Sequence, residues 1–336
     1  MNCVIMIMGA VILELIANPE HFSPDRRSAD SALVVVCVCT YKRPESLRRC
    51  LESLARQRAP EHVRHQLIVV DNDEECSAMP VVRMVRSDAI YLVEPRRGIA
   101  TARNRAIRTA SQLGADWVAF IDDDEIADDH WLQQLMAPDY NAVPILRGHR
   151  VLRLPVAAPF WAAPVKPKTI AEGTLCHTAY TNNVRFSRAL IDCGLRFDEA
   201  FAFSGGEDVD FFSRARKRGF EIRHTARAIT YETIHVERLT YRRQCTTSFW
   251  VAAANIRESM TRRGTLRTLL TKLHTIPLNL IIGPALILAS PVALVAGLDA
   301  FKKLALAGGD KIARAAGRFA ALMGYMPAPY LHTDGD

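Results

Sequence analysis

The chain has 336 residues, 49% hydrophobic and 24% charged. These proportions suit one large folded domain with an appendage and exclude a mainly disordered chain. Lys and Arg total 43 against 36 Asp and Glu, and the excess gathers toward the C-terminus. There Arg238, Arg242, Arg243, Arg257, Arg262, Arg263, Arg267 and Lys272 are opposed only by Glu258, and Lys302, Lys303, Lys311, Arg314 and Arg318 follow. This asymmetry points to an anionic partner such as phospholipid head groups, a pyrophosphate or nucleic acid, with a solvated helix face as the competing reading.

Met1 to Ala17 is apolar apart from Asn2 and Glu14. It lacks a basic leader and a cleavage site and is short for a membrane span. With the polar linker His21 to Ser31, residues 1–31 read as a weakly ordered extension. Leu33 to Cys39 is a continuous apolar, β-branched run, the pattern of a strand buried on both faces of a parallel sheet. Pro44 and Glu45 open a helix with Leu47, Leu51 and Leu54 on one face. Gln66 to Val70, Ala89 to Val93 and Trp117 to Ile121 read as further strands, with a Gly98-initiated, Ala-rich helix ending near Gly114. Strands alternating with helices imply an open, mostly parallel α/β sheet flanked by helices, whose ligands bind beyond the carboxyl ends of the strands. Later elements are a proline-rich loop over Pro155 to Lys168, a short strand over Asn182 to Phe186, and Ser187 as cap of the next helix. A Gly205-Gly206 loop then feeds a helix through Arg218, and Ala228 to Tyr231 is a last strand.

The eight cysteines show no C-x-x-C pairing, which favours a reducing, cytoplasmic compartment over a disulfide framework or zinc site. Thr275 to Leu298 is uncharged and long enough to span a bilayer, but Pro277, Pro284 and Pro291 interrupt it. A broken re-entrant or interfacial hairpin therefore competes with a straight span. Phe301, Leu304, Ile312, Ala315, Phe319 and Leu322 then interleave with basic residues, as in an interfacial amphipathic helix.

The chemistry concentrates at strand ends. Asp122, Asp123 and Asp124 repel one another unless a divalent cation or hydrogen-bond donors neutralise them; Mg2+ or Mn2+ bridging a diphosphate fits, and a solvated, helix-capping turn is the alternative. Asp71 is placed to read a ribose or base edge, or to close an Asx turn. Arg96, Arg97, Gly98, Arg103 and Asn104 bring cations and a helix N-terminus to the same rim, both of which favour a phosphate. His235, near Glu232 and Glu237, is a candidate third metal ligand or phosphate contact, against the plain reading of a surface histidine.

In order, V-C-T-Y-K-R-P ending at Pro44, I-V-V-D-N (Ile68 to Asn72), E-P-R-R-G-I-A-T-A-R-N (Glu94 to Asn104), F-I-D-D-D-E (Phe120 to Glu125), Trp131-Leu132 and G-G-E-D (Gly205 to Asp208) resemble glycosyltransferase family 2, in particular its bacterial exopolysaccharide-type members. The resemblance covers roughly Leu33 to Arg243. It implies a GT-A fold and a nucleotide-sugar site drawn from Thr40, Tyr41, Arg43, Asp71, Arg97, Gly98, Arg103, Asn104, Asp122 and Asp123. It also implies a D-x-D-like pair, Asp122 and Asp124, near ribose and metal, and Asp208 as catalytic base with Glu207 as runner-up. Tyr241-Arg242-Arg243-Gln244 only loosely echoes the Q-x-x-R-W signature of processive synthases, so addition of a single sugar is expected.

The expected organisation is a catalytic domain over 32–245 and a basic, apolar helical region over 246–336 that holds the enzyme to the cytoplasmic face of the plasma membrane. The expected partners are a nucleotide-sugar donor and a lipid-linked or glycan acceptor. A nucleotidyltransferase, a glycosidase and a catalytically silent membrane partner of a polysaccharide assembly machine are the rivals. A nucleic-acid binder would explain the basic C-terminus but not the uncharged run beside it.

Overall fold

The computed structural model describes residues 31–154, 170–201, 205–234 and 239–325. The N-terminal extension, the Pro155 to Lys168 loop and His235 lie outside these residues.

The apolar runs form the strands expected of them. β1 (Ala32–Thr40) is followed by α1 (Pro44–Ala55), β2 (Val63–Asp71), α2 (Met79–Val85), β3 (Ile90–Val93), α3 (Ile99–Gln112) and β4 (Trp117–Ile121). β1, β2, β3 and β4 pair in parallel. Side chains alternate across a strand, so β1 feeds two cores. Val34, Val36 and Val38 pack with Leu47, Leu51 and Leu54 of α1 on one face. Val35 and Cys37 pack with Ala100, Ala106 and Ala110 of α3 on the other. The alanines let α3 lie close to the sheet, and Gly98 (φ +136°) makes the turn into it.

The second half reverses direction. β5 (Glu125–Ala127), α4 (Trp131–Leu135), β6 (Ile145–Arg153), β7 (Asn183–Ser187), α5 (Ala189–Asp192), α6 (Glu207–Lys217) and β8 (Ile222–Thr233) complete an eight-stranded sheet of order β3-β2-β1-β4-β7-β6-β8-β5. Its pairings are antiparallel at β4–β7, β6–β7 and β5–β8 and parallel at β6–β8.

Two elements go beyond the sequence reading. β6 was not anticipated, because Arg147, His149, Arg150 and Arg153 interrupt its apolar pattern; only Ile145, Leu146 and Gly148 are buried. β8 runs well upstream of Ala228, since its first residues pair with β6. The N-cap of α5 is Arg188 rather than the expected Ser187, which lies one residue outside it and accepts the Ala189 N–H at 3.2 Å through its Oγ.

At the C-terminus α7 (Tyr241–Arg263) runs unbroken through position 245. α8 (Thr265–Lys272) and α9 (Thr275–Ala289) follow, and α9 continues as a 3-10 turn over Ser290–Ala296. Gly297 (φ +110°) then reverses the chain into α10 (Leu298–Leu322).

Candidate functional site

Asp122, Asp123 and Asp124 leave the end of β4 with alternating directions. The Asp123 side chain is only 7% exposed, whereas Asp122 is 40% and Asp124 24% exposed. Asp123 turns inward, accepting the Thr40 hydroxyl at 2.7 Å and facing Arg43 Nη1 at 3.3 Å. The same Arg43 nitrogen lies 3.4 Å from Asp124 Oδ2. Asp122 and Asp124 are thus the two acids that keep solvent access.

Arg103, on α3, joins this strand end to the start of α6. Its Nη2 lies 3.3 Å from Asp122 Oδ1 and its Nη1 donates to Glu207 Oε1, with a side chain only 7% exposed. Glu207 is buried, and among the described residues its Oε2 has no hydrogen-bond partner. Burial pushes the Glu207 carboxyl up against the pull of Arg103, and Asp208 adds to the push. Asp208 is only part-buried; its Oδ1 accepts the Val209 N–H at 2.7 Å. Burial raises it too, opposed by Arg103 and by the N–H groups of Val209 and Thr181. Positive φ at Gly205 (+72°) and Gly206 (+92°) sets the turn that delivers both acids. Asp210, one turn on, pairs with Arg214 at 2.7 Å.

Desolvation pushes Asp122 up to about 6; Arg103 opposes this, and Asp124, Asp208 and Glu232 add to it. A surplus of hard carboxylate oxygens in one place fits a divalent Mg2+ or Mn2+ ion. Among the described residues no three His, Cys, Asp or Glu side chains converge as a ready-made cage, so a bound ion would draw further ligands from a substrate or water.

The other expected residues divide. Arg97 stacks over the Tyr41 ring at 4.0 Å, forming an exposed rim beside the N-terminus of α3. Asp71 turns away from solvent: it is 0% exposed and accepts from the Tyr91 hydroxyl (2.7 Å), the Ala78 N–H (2.8 Å) and the Asp73 N–H (3.1 Å). Asn104 is likewise engaged, its amide pairing both ways with the Phe197 backbone at 2.9 Å. The structure therefore brings together two bonded groups at the end of β4, Thr40, Arg43, Asp123 and Asp124 in one and Arg103, Asp122 and Glu207 in the other, with Asp208 beside the second. Asp71 and Asn104 support the walls.

Three supporting residues escaped the sequence reading. Asn72 accepts from the Gly98 N–H at 2.7 Å and donates to the carbonyls of Glu94 (2.7 Å) and Arg96 (2.8 Å), which sets the loop ahead of α3. Glu125 is buried, which pushes it up to about 8, and accepts from Asn182 at 2.7 Å. Asn183 accepts from Trp131 Nε1 at 2.9 Å and donates to the Ala228 carbonyl at 2.9 Å. Gly148 leaves room for it, since a Cβ there would stand 2.2 Å from the Asn183 Oδ1. Asn72 and Glu125 lie inside the recognised motifs, which could have marked them; nothing in the sequence marks Asn183.

Residues 35–143 match the family model for glycosyl transferase family 2. The chain is 33% identical over 234 residues to the succinoglycan biosynthesis protein ExoM of Rhizobium meliloti (strain 1021), a match covering 67% of this chain and 72% of that protein. It is 40% identical over 102 residues to the galactofuranosyltransferase GlfT1 of Mycobacterium tuberculosis (strain ATCC 25618 / H37Rv), covering 29% of this chain and 32% of the other. Among solved structures, the mannosyltransferase PcManGT from Pyrobaculum calidifontis, in complex with GDP-Man and Mn2+, superposes with a TM-score of 0.54 at 15% identity, covering 85% of this chain and 86% of that one. That likeness gives the fold, GT-A. The ordered motifs, the fold and the relative matched over most of its length agree: this chain belongs to glycosyltransferase family 2.

Proposed function

We propose that this glycosyltransferase moves a single sugar from a nucleotide-sugar donor to a lipid-linked or glycan acceptor, with inversion, in bacterial exopolysaccharide synthesis. The observation that carries the reading is the Arg103 bridge, which ties Asp122 at the solvent-accessible end of β4 to Glu207, next to Asp208, at the start of α6. The name of the succinoglycan biosynthesis relative supports the polysaccharide setting. The same-fold mannosyltransferase solved with GDP-Man and Mn2+ is in keeping with a nucleotide-sugar donor and a divalent ion.

Thr40, Tyr41, Arg43 and Arg97 line the nucleotide side, and the N-terminus of α3 at Gly98 favours the diphosphate. Asp71, Asn104 and Asp123 hold that side in shape. Asp122 and Asp124 would hold Mg2+ or Mn2+, which stabilises the charge developing on the leaving diphosphate when bound. Asp208 accepts the proton of the acceptor hydroxyl as its oxygen attacks the anomeric carbon. The bond from that carbon to the diphosphate oxygen breaks on the opposite face, so the configuration inverts and a nucleoside diphosphate leaves. Glu207, held by Arg103, positions this end of α6. His235 remains a candidate third ligand.

Residues 32–245 form the catalytic unit in this proposal, and 246–336 hold it to the cytoplasmic face of the plasma membrane. Support comes from the segment Thr265–Ala296, long and apolar enough to cross a membrane and mostly exposed along its most apolar stretch. The test is a panel of nucleotide sugars with lipid-linked and glycan acceptors, following nucleoside diphosphate release and the anomeric configuration of the product. One donor should turn over, with inversion and with loss of transfer in excess chelator. Retention of configuration, or full turnover without a divalent ion, contradicts the mechanism.

A further inference from the structure

The membrane attachment proposed above has a geometry that the helices themselves specify. Twelve exposed large apolar side chains lie between Leu266 and Leu298, among them Leu270 (76%), Leu288 (78%), Val292 (74%) and Val295 (94%). On α9 only the stripe Ile276, Asn279 and Gly283 is buried. That stripe meets α10 at bare backbone: a Cβ on Gly283 would stand 2.9 Å from the Gly308 carbonyl oxygen, and one on Gly308 2.6 Å from that of Gly283. α10 is in turn fixed to α7, where a Cβ on Gly317 would stand 2.1 Å from the Phe249 carbonyl oxygen and Tyr241 donates to the Ala305 carbonyl at 3.2 Å. The apolar leg is therefore splinted to the helix that leaves the catalytic sheet.

The return leg decides how deep this hairpin can sit. Lys303, Lys311, Arg314 and Arg318 fall on one side of α10 on a helical wheel, where Asp310 pairs with Arg314 at 2.8 Å and leaves a net positive side. They are spread along the whole apolar leg: Ile312 packs at Gly283, and Arg318 Nη1 donates to the Thr275 carbonyl at 3.4 Å. Upright insertion of the pair would draw these cations through hydrocarbon, which is strongly unfavourable for lipid-facing Lys and Arg. Lying in the plane of the interface, the same hairpin sinks the outer face of α9 into the acyl region and keeps the cations at the level of the phosphates. Arg267 and Lys272, both exposed on α8, extend the basic rim.

We infer that α8, α9 and α10 form a monotopic anchor for an anionic leaflet: an in-plane helical hairpin that enters and leaves on one face, with its Gly297 tip never reaching the other side. The occupant of the exposed apolar face is lipid, because cations border it along its length, and a second copy of the chain would set those like charges against each other.

The test uses the full-length protein. Flotation with vesicles of phosphatidylcholine, alone or mixed with phosphatidylglycerol, should show binding that requires the anionic lipid and is lost in Val292→Glu/Val295→Glu, two positions with exposed side chains. Transfer by that variant to a water-soluble acceptor should remain at the wild-type level. In membrane vesicles of either orientation, Val295→Cys should react with an impermeant maleimide, if at all, only from the catalytic-domain side. Labelling from the opposite side overturns the in-plane geometry while leaving membrane attachment in place. Failure to float, with a dimer in light scattering that Val292→Glu/Val295→Glu dissociates, overturns the lipid assignment and the attachment together. Neither result bears on sugar transfer, which the nucleotide-sugar assay reads separately.

Discussion

β2 and β4 end on the same edge of one sheet with β1 between them, and both present acids there, yet the two ends are built oppositely. Asp71 is fully buried and satisfied by three donors, two of them backbone N–H groups of the loop it closes. Asp122 and Asp124 keep solvent access and lie near other carboxylates, with Arg103 beside Asp122 and Arg43 beside Asp124. An acid whose lone pairs are filled by its own chain shapes the site. Acids crowded without full compensation leave a charge for a ligand to answer.

The largest effect on stability should come from the link between the β4 end and α6. Arg103→Met strands the buried Glu207 carboxylate, and breaking a buried pair from one side costs about 3–5 kcal/mol. Denaturant titration should show that loss, and Arg103→Met/Glu207→Met should recover much of it without recovering transfer. An equally unstable double variant would mean that the pair is not the link.

The contrast between the strand ends predicts a smaller, divided result. Asp71→Ala leaves the Tyr91 hydroxyl and two N–H groups without their acceptor and should cost about 1–3 kcal/mol. Asp122→Asn keeps an acceptor for Arg103 and removes repulsion, so its melting temperature should equal or exceed wild type. If both substitutions destabilise alike, the distinction between a filled and an unfilled acid is wrong.

The smallest effect concerns a buried histidine. His224 is 1% exposed, and its ring lies against Arg147 and edge-on to the His149 ring at 5.8 Å. Burial, with Arg147 and His149 nearby, lowers its pKa below the ordinary histidine value. The folded state then binds the proton less well than the unfolded one, so stability is lost as the pH falls below about 6.5. His224→Phe should flatten this acid-side loss and match wild type at alkaline pH; unchanged pH dependence would remove His224 from the account.

How far the sequence carries is visible in the same residues. β1, α1 and β4 were legible because their apolar runs and periods are clean. β6 was not, because a strand carrying three arginines and a histidine signals only through neighbours that the linear pattern does not show. Asp122 and Asp124 stood out because a like-charged cluster is a local signal, whereas the role expected of Asp208 came only with the resemblance to the family. The inward turn of Asp71 depends on Tyr91 and Ala78, and that of Asn104 on Phe197; those partners arrive only with the tertiary fold. Arg103 was read as a phosphate-facing cation, and its bridge to Glu207 spans 104 positions of sequence that no periodicity connects.

The division of labour across the Arg103 bridge is tested most directly by measuring donor binding and transfer side by side in Asp124→Asn and Asp208→Asn. With the donor found by the nucleotide-sugar panel, Asp124→Asn should lose the cation-dependent part of binding in calorimetry. Asp208→Asn should bind donor and melt like wild type while transfer falls by about 10²–10⁴-fold. Wild-type transfer by Asp208→Asn, or donor binding by Asp124→Asn that still responds fully to Mg2+ or Mn2+, would contradict the account.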